Sequence, residues 1–146
     1  MDGILLERVD ATKEYQISLS AYGDYNVSVT AKEGGGWKYS NESYFDYVVT
    51  VTDGEAPTID FKKDFAKKLK VGDTLSIPKY TVSDNFTKAE DIVVLKMIIN
   101  PKGMPIYLYG DDNGIRCEYA GIYQIKIYVY DEMGNLTVFE KSVKVV

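Results

Sequence analysis

Apolar and polar residues alternate most regularly in the C-terminal stretch of the chain, from Tyr119 to Val146. Beginning at Tyr123, the odd positions are apolar or aromatic, and the even positions carry Gln, Lys and Tyr. A period of two is typical of a β-strand that places one face on a core. Residues 131–135 contain Gly and Asn, which tolerate positive φ in turns, and the alternation resumes through Phe139 and Val143. The pattern predicts two long antiparallel strands that form the last hairpin of a β-sandwich.

A second copy of this pattern lies in the N-terminal part of the chain. Residues 23–33 align with residues 121–131, which lie 98 positions further on. After a longer loop, residues 49–51 match residues 143–145. A repeat at this spacing predicts tandem copies of one β domain rather than a single larger fold.

Gly and Pro in residues 53–58 mark a boundary, which divides the chain into segments 1–54 and 55–146. The first segment contains only about four predicted strands, whereas a complete sandwich has about seven. These four strands are predicted at 4–9, 14–20, 24–32 and 44–52. We therefore expect residues 1–54 to be a partial or smaller copy that holds the C-terminal strands of a domain. Residues 55–146 are expected to form one full sandwich.

Further strands are predicted along the second segment. The most apolar run is 91–99, in which Val93, Leu95, Met97 and Ile99 share one face while Lys96 points away. Asn113-Gly114 is typical of a tight hairpin turn. Residues 61–70 carry five lysines and are predicted to be an exposed edge, because edge strands often carry Lys to block unwanted pairing.

The net charge of −5 argues against nucleic acid or an anionic membrane as the main partner, since both select for basic patches. No apolar run approaches the roughly 20 residues needed to span a bilayer, so we expect no membrane insertion. The chain has one Cys and no His, so no imidazole is available as the base that would activate a thiol nucleophile. Cys117 alternates with Ile115 and Tyr119 and is predicted to be a buried structural thiol.

Four short motifs in residues 53–146 resemble a bacterial immunoglobulin-like repeat of the hyalin-repeat or PKD-like type. They are the entry at 56–59, the Val-Gly-Asp-Thr-Leu turn and strand at 71–75, Val-Ser-Asp-Asn at 82–85, and Gly121-x-Tyr123 followed by Asp131-x-x-Gly134-Asn135. The Gly-x-Tyr is similar to the tyrosine corner of immunoglobulin-like sandwiches. Residues 13–53 resemble the last strands of a preceding copy, although Gly34-Gly35-Gly36 replaces the Asp-x-x-Gly-Asn turn.

The resemblance implies tandem immunoglobulin-like β-sandwiches of a secreted or cell-surface protein. Such repeats serve as spacers, as adhesion modules or as appendages of carbohydrate-active enzymes. We therefore expect a non-enzymatic extracellular structural or adhesion module without a cofactor. The alternative is a carbohydrate-binding module, which would act as an accessory to a glycan-degrading enzyme. The ligand in either case is an unknown protein or glycan.

Three aromatic residues near the Gly-rich loop are the candidate ligand contacts, namely Trp37, Tyr39 and Tyr44. Exposed aromatic rings can stack on sugars or fill a pocket on a partner. The simpler interpretation, which we favour, is that Tyr44 and Phe45 begin a strand and pack inward, with Trp37 covering the end of the sandwich.

Several carboxylates in predicted loops raise the question of calcium, which takes six to eight oxygen ligands. They are Asp84, Asp111, Asp112, Asp131 and Glu132. Their spacing does not match an EF-hand loop, and Asp commonly caps turns by bonding its own backbone. We favour turn capping and predict no metal ligand and no catalytic residue.

Four strands cannot form two opposed sheets of normal size, so the apolar face of residues 1–53 must meet something else. Upstream strands, the second segment or a second copy of the chain could cover it. In the native protein we expect upstream strands to cover this face. For this chain by itself we expect a homodimer through residues 1–53, whose formation depends on concentration.

Overall fold

The structure, a computed structural model, describes residues 16–32 and 41–146. The chain divides into two compact units, Met1–Thr52 and Asp53–Val146. The regular structure of the described residues is entirely β, as the alternation predicts. Its strands are β1 (Gly23–Lys32), β2 (Glu42–Val51), β3 (Thr58–Phe61), β4 (Lys68–Leu69), β5 (Thr74–Ser76), β6 (Tyr80–Ser83), β7 (Val93–Ile99), β8 (Pro105–Leu108), β9 (Gly114–Arg116), β10 (Gly121–Tyr130) and β11 (Leu136–Val145).

In the first unit, β1 and β2 form an antiparallel hairpin. A strand was predicted at 14–20, of which the structure describes residues 16–20. These residues belong to no strand, so the prediction is wrong for them. The reason is that alternation alone supplies no hydrogen-bonding partner, and Ile17 is half exposed. The strand predicted at 4–9 lies outside the described residues.

The second unit contains the predicted C-terminal hairpin, formed by β10 and β11. The odd positions of β10 from 123 to 129 are fully buried, and β10 lies between β11 and β7 in the middle of a sheet. Four of its side chains are at most 1% exposed: Tyr123, Ile125, Ile127 and Val129. The alternation therefore predicted both the strand and its core face correctly.

The two hairpins have the same register and the same corner. Gly23 pairs with Val51 in one, and Gly121 pairs with Val145 in the other. Both glycines have positive φ, 131° for Gly23 and 136° for Gly121. Each hairpin therefore begins with the same backbone geometry, at positions that correspond in the two sequences.

A tyrosine follows each of these glycines and bonds back to the backbone four residues upstream. The Tyr25 hydroxyl donates to the carbonyl of Ala21 at 2.8 Å and accepts from its N–H at 3.2 Å. The Tyr123 hydroxyl accepts from the N–H of Tyr119, also at 3.2 Å. This is the bonding that the sequence predicts for a tyrosine corner at Tyr123.

Three sheets enclose the core of the second unit in a sandwich-like arrangement. The largest has five strands in the order β4-β11-β10-β7-β8, and the other two are the pairs β3-β6 and β5-β9. Buried side chains of β10, β11 and β7 meet Leu75 of β5 and Cys117, which are both fully buried. Ile59 of β3 and Val82 of β6 pack against the same cluster. The buried position predicted for Cys117 is confirmed, and burial raises the pKa of its thiol.

The core face of β7 is the opposite of the one predicted. Val93 and Leu95 are about half exposed, whereas Ile98 is fully buried and Lys96 is 6% exposed. The Lys96 ammonium donates to the carbonyls of Gly110 and Asp112 and to the Asn113 side chain, at 2.6–3.0 Å. Lysine tolerates burial here because its three donors are all satisfied.

The sequence predicts a hairpin turn at Asn113-Gly114, and this prediction is wrong. The strand before it, β8, pairs with β7, and the strand after it, β9, pairs with β5. A Cβ on Gly114 would lie 2.7 Å from the carbonyl oxygen of Leu75. The glycine is therefore required by the close approach of β9 to β5, rather than by a turn.

The lysine-rich segment 61–70 is an edge in part. Its strand β4 is the outermost strand of the large sheet and lies parallel to β11. Phe65 in the same segment is 8% exposed and contacts the rings of Phe61 and Phe139, with centroids 4.8 and 5.3 Å away. The lysines are thus exposed along the edge, while the aromatic residues anchor the segment to the core.

Candidate functional site

Three aspartates from separate parts of the chain converge in the second unit. Asp53 lies just after β2, Asp84 directly follows β6, and Asp131 directly follows β10. One carboxylate oxygen of each lies within 4.8 Å of one oxygen of the other two. Asp53 and Asp131 are each only 6% exposed, and Asp84 is partly buried. We call these three residues the carboxylate cluster.

Asp84 is held by the turn that it begins. Its Oδ2 accepts hydrogen bonds from the backbone N–H groups of Phe86 at 2.9 Å and Thr87 at 2.8 Å. The Thr87 bond is the main reason that the pKa of the Asp84 carboxyl is lowered, against the opposing effect of desolvation. The turn therefore stabilises Asp84 as a carboxylate. Its Oδ2 accepts both bonds from the turn, and its Oδ1 accepts neither.

Asp131 is bonded through both of its oxygens to Asn135, in the turn between β10 and β11. Oδ1 accepts from the Asn135 backbone N–H at 2.8 Å, and Oδ2 accepts from its side-chain amide at 2.7 Å. The same amide donates to the backbone carbonyl of Asp53 at 3.1 Å. Asn135 therefore ties the β10–β11 turn to the segment in which the chain enters the second unit.

Two carboxylate oxygens of the cluster are buried and accept no hydrogen bond from outside it, although the Asp53 and Asp84 side chains lie close enough to interact with each other. They are Oδ2 of Asp53 and Oδ1 of Asp84. The other oxygen of Asp53 accepts from the backbone N–H of Glu55 at 3.1 Å. Leaving a buried acceptor unsatisfied typically costs about 1–3 kcal/mol, and more for a charged group.

The cluster also concentrates negative charge. Two unit charges about 5 Å apart repel each other by about 3 kcal/mol at an effective dielectric constant of about 20. Within residues 16–32 and 41–146, no lysine or arginine forms an ion pair with Asp53, Asp84 or Asp131. The arrangement is therefore unfavourable unless something neutralises it.

Part of this site was predictable from the sequence. Asp84 and Asp131 do cap turns, as predicted, and they also face each other across the cluster. Asp111 and Asp112 are exposed in the loop after β8, and Glu132 is exposed beside Asp131. Asp53 was missed, because it stands in a Gly- and Pro-containing boundary where an Asp is ordinary. Its only signal was its position two residues after the end of a strand, close to the position of Asp84 and Asp131, which directly follow theirs.

Of the candidate ligand contacts, Trp37 and Tyr39 lie outside the described residues. Tyr44 lies near the start of β2, but it is 69% exposed, and Phe45 beside it is 63% exposed. The prediction that these two residues pack inward is wrong, because neighbours on a strand point to opposite faces and both side chains are mostly exposed. The Tyr44 hydroxyl donates to the carboxylate of Glu42, which raises the pKa of Tyr44.

Together these features define an all-β, sandwich-like protein with a buried carboxylate cluster and an aromatic strand on its surface. No protein-family model and no curated protein matches the chain. In the part of the chain that the structure describes, no helix has the length and apolar character needed to cross a membrane.

Proposed function

We propose that this chain is a non-enzymatic structural or adhesion module, built from tandem immunoglobulin-like β domains of an extracellular or cell-surface protein. The observation that carries the proposal is the duplicated hairpin. Gly23 and Gly121 share a backbone conformation, and Tyr25 and Tyr123 bond the backbone four residues upstream. Two chance hairpins have no reason to share register, corner glycine and corner bond, whereas two copies of one domain do.

A tandem array of one domain suits a protein that spans a distance and presents binding surfaces, rather than one that catalyses a reaction. In such arrays stability is largely contributed by each repeat and its neighbour, so length can change without redesign of the fold. The immunoglobulin-like assignment is further supported by the motifs around Tyr123 and Asp131. The extracellular location is supported by the resemblance to repeats of secreted and surface proteins.

The location is tested on intact cells of the organism that produces the protein. Antibodies raised against the purified chain are expected to label intact cells or to detect the protein in the medium, because an adhesion or spacer module must lie outside. A cytoplasmic protein measured in parallel controls for leakage. Labelling that appears only after permeabilisation would contradict the proposal.

The alternative function, carbohydrate binding, is favoured by one specific observation. Tyr44, Phe45 and Tyr47 all lie on β2 and are 44–69% exposed, and the rings of Phe45 and Tyr47 are 5.7 Å apart. Exposed rings on a strand offer flat apolar surfaces on which sugar rings stack.

The homodimer that we expect through residues 1–53 would use the same surface, since Val29 opposite Phe45 is also exposed.

A glycan array on the purified chain separates these functions. If the chain is a carbohydrate-binding module, a glycan on the array should bind it. Phe45→Ala should then weaken the affinity for that glycan by about tenfold, or about 1.4 kcal/mol. Tyr107→Ala is the matched control, because Tyr107 is 58% exposed but lies on β8 of the second unit. A glycan that binds equally to both variants, or no glycan at all, would reject this alternative.

A further inference from the structure

We infer that the carboxylate cluster of Asp53, Asp84 and Asp131 is a calcium site. Three observations support this site: convergent oxygens, buried oxygens without partners, and the absence of a neutralising side chain among the described residues. The site lies in the second unit alone and does not depend on the proposed function.

The geometry suits one cation bound by all three residues. Calcium–oxygen distances of about 2.3–2.6 Å allow oxygens on opposite sides of the ion to be up to about 5 Å apart. The three carboxylate oxygens lie within 4.8 Å of one another, so a single ion can contact all of them. The remaining ligands of a six- to eight-coordinate ion would be water or nearby backbone carbonyls.

The unpartnered oxygens indicate that the cluster is built for a ligand. Asp53 is 94% buried, and its Oδ2 has no donor although its Oδ1 does. Asp84 is arranged in the same way, with Oδ2 bonded to the turn and Oδ1 without a donor. In Asp53 and Asp84, backbone N–H groups thus hold one carboxylate oxygen and leave the other without a donor, whereas both oxygens of Asp131 are held by Asn135. Carboxylates fixed by such hydrogen bonds are typical of the surroundings of a metal.

The chemistry of the donors selects the metal. All three are carboxylates, the chain contains no His, and its single Cys lies in the core, so zinc and copper have no preferred ligands here. Magnesium gives up its water reluctantly and is usually bound by only one or two carboxylates. Three mostly buried carboxylates on turns therefore favour calcium over magnesium.

Bound calcium would connect three parts of the second unit. Asp53 belongs to the segment by which the chain enters this unit, and Asp84 and Asp131 stand at the ends of β6 and β10. The hydrogen bond from Asn135 to the Asp53 carbonyl already joins two of these parts. The ion would add the third and neutralise the repulsion, so calcium should hold the entry segment in place.

The test uses the purified chain, stripped with chelator and then titrated with CaCl₂ at constant ionic strength. Thermal unfolding is expected to shift upward by several degrees at about 10 mM calcium, which exceeds the ~10⁻⁴–10⁻³ M dissociation constants of extracellular calcium modules. Hydrogen exchange should slow in residues 52–57 and 84–87. MgCl₂ at the same concentration should stabilise the chain less.

Asp53→Asn is the decisive variant, and Asp111→Asn, in an exposed loop, is its matched control. With chelator, Asp53→Asn should unfold at a higher temperature than the unchanged chain, because one of three repelling charges is gone. With calcium the order should reverse, and calorimetry should show affinity weakened by about tenfold or more, since ligand charge sets affinity. Asp111→Asn should behave like the unchanged chain in both conditions.

Three outcomes would overturn the inference. The first is that the unchanged chain gains no stability from calcium and shows no binding heat, as expected if a shared proton neutralises the cluster instead. The second is that Asp53→Asn keeps the full calcium response, which would place the binding elsewhere. The third is that magnesium stabilises the chain as well as calcium does, which would reject the assignment of the metal.

Discussion

Ile127→Ala is expected to lower the free energy of unfolding of the second unit by about 3–4 kcal/mol, within the range measured for buried Ile and Leu truncations. Ile127 is fully buried on the central strand β10, opposite Phe139 on β11 and Lys96 on β7. Removing its side chain costs the burial of three carbon atoms and leaves a cavity between packed sheets, which cannot collapse freely.

The matched control is Ile122→Ala, the same substitution on the same strand. Ile122 is 49% exposed, so its truncation should cost about 1 kcal/mol or less. Urea unfolding followed by circular dichroism measures both. Equal losses would mean that the odd positions of β10 do not face the core, which would contradict the arrangement of the sheets.

Gly121→Ala is expected to destabilise the second unit by about 3 kcal/mol or more, through two separate effects. The φ of 136° lies where a side chain is strained. In addition, an added Cβ would lie 2.7 Å from Cβ and 2.9 Å from Cγ of Pro101. The proline ring is rigid, so the backbone itself must move to relieve the contact.

Gly103→Ala separates the two effects. Gly103 also has positive φ, 79°, but a Cβ there would meet no atom within 4 Å. Only backbone strain remains, and the loss should be about 1–2 kcal/mol. If thermal unfolding gives the same loss for both variants, the close packing of the corner against Pro101 is not a determinant of stability.

The strands that could be predicted from the sequence are those whose two faces differ. In β10 every odd position from 123 to 129 is apolar or aromatic, whereas the even positions include Gln124 and Lys126. The face without polar side chains is therefore the one that the core buries. In β7 apolar residues occupy both parities, and Lys96 stands alone between them. The carbonyls of Gly110 and Asp112 satisfy that ammonium, and they lie 14 and 16 positions further along the chain. The sequence of β7 by itself therefore does not indicate that these carbonyls accept hydrogen bonds from Lys96.

The same distinction applies to the carboxylate cluster. Asp84 bonds N–H groups two and three residues ahead, and Asp131 bonds Asn135 four residues ahead. Such turn caps depend on local sequence, and they were predicted. The convergence of Asp53 with these turns depends on contacts such as the one between Asn135 and Asp53, which are 82 positions apart.

The sequence by itself determined the all-β class, the long C-terminal hairpin with its buried face, and the corner at Tyr123, because each depends on periodicity or on bonds between near neighbours. The tertiary structure alone decided which face of β7 is buried, why Gly114 must be glycine, and which three aspartates meet. Each of these depends on the approach of distant segments, where a side chain is selected by what packs against it rather than by its neighbours in the chain.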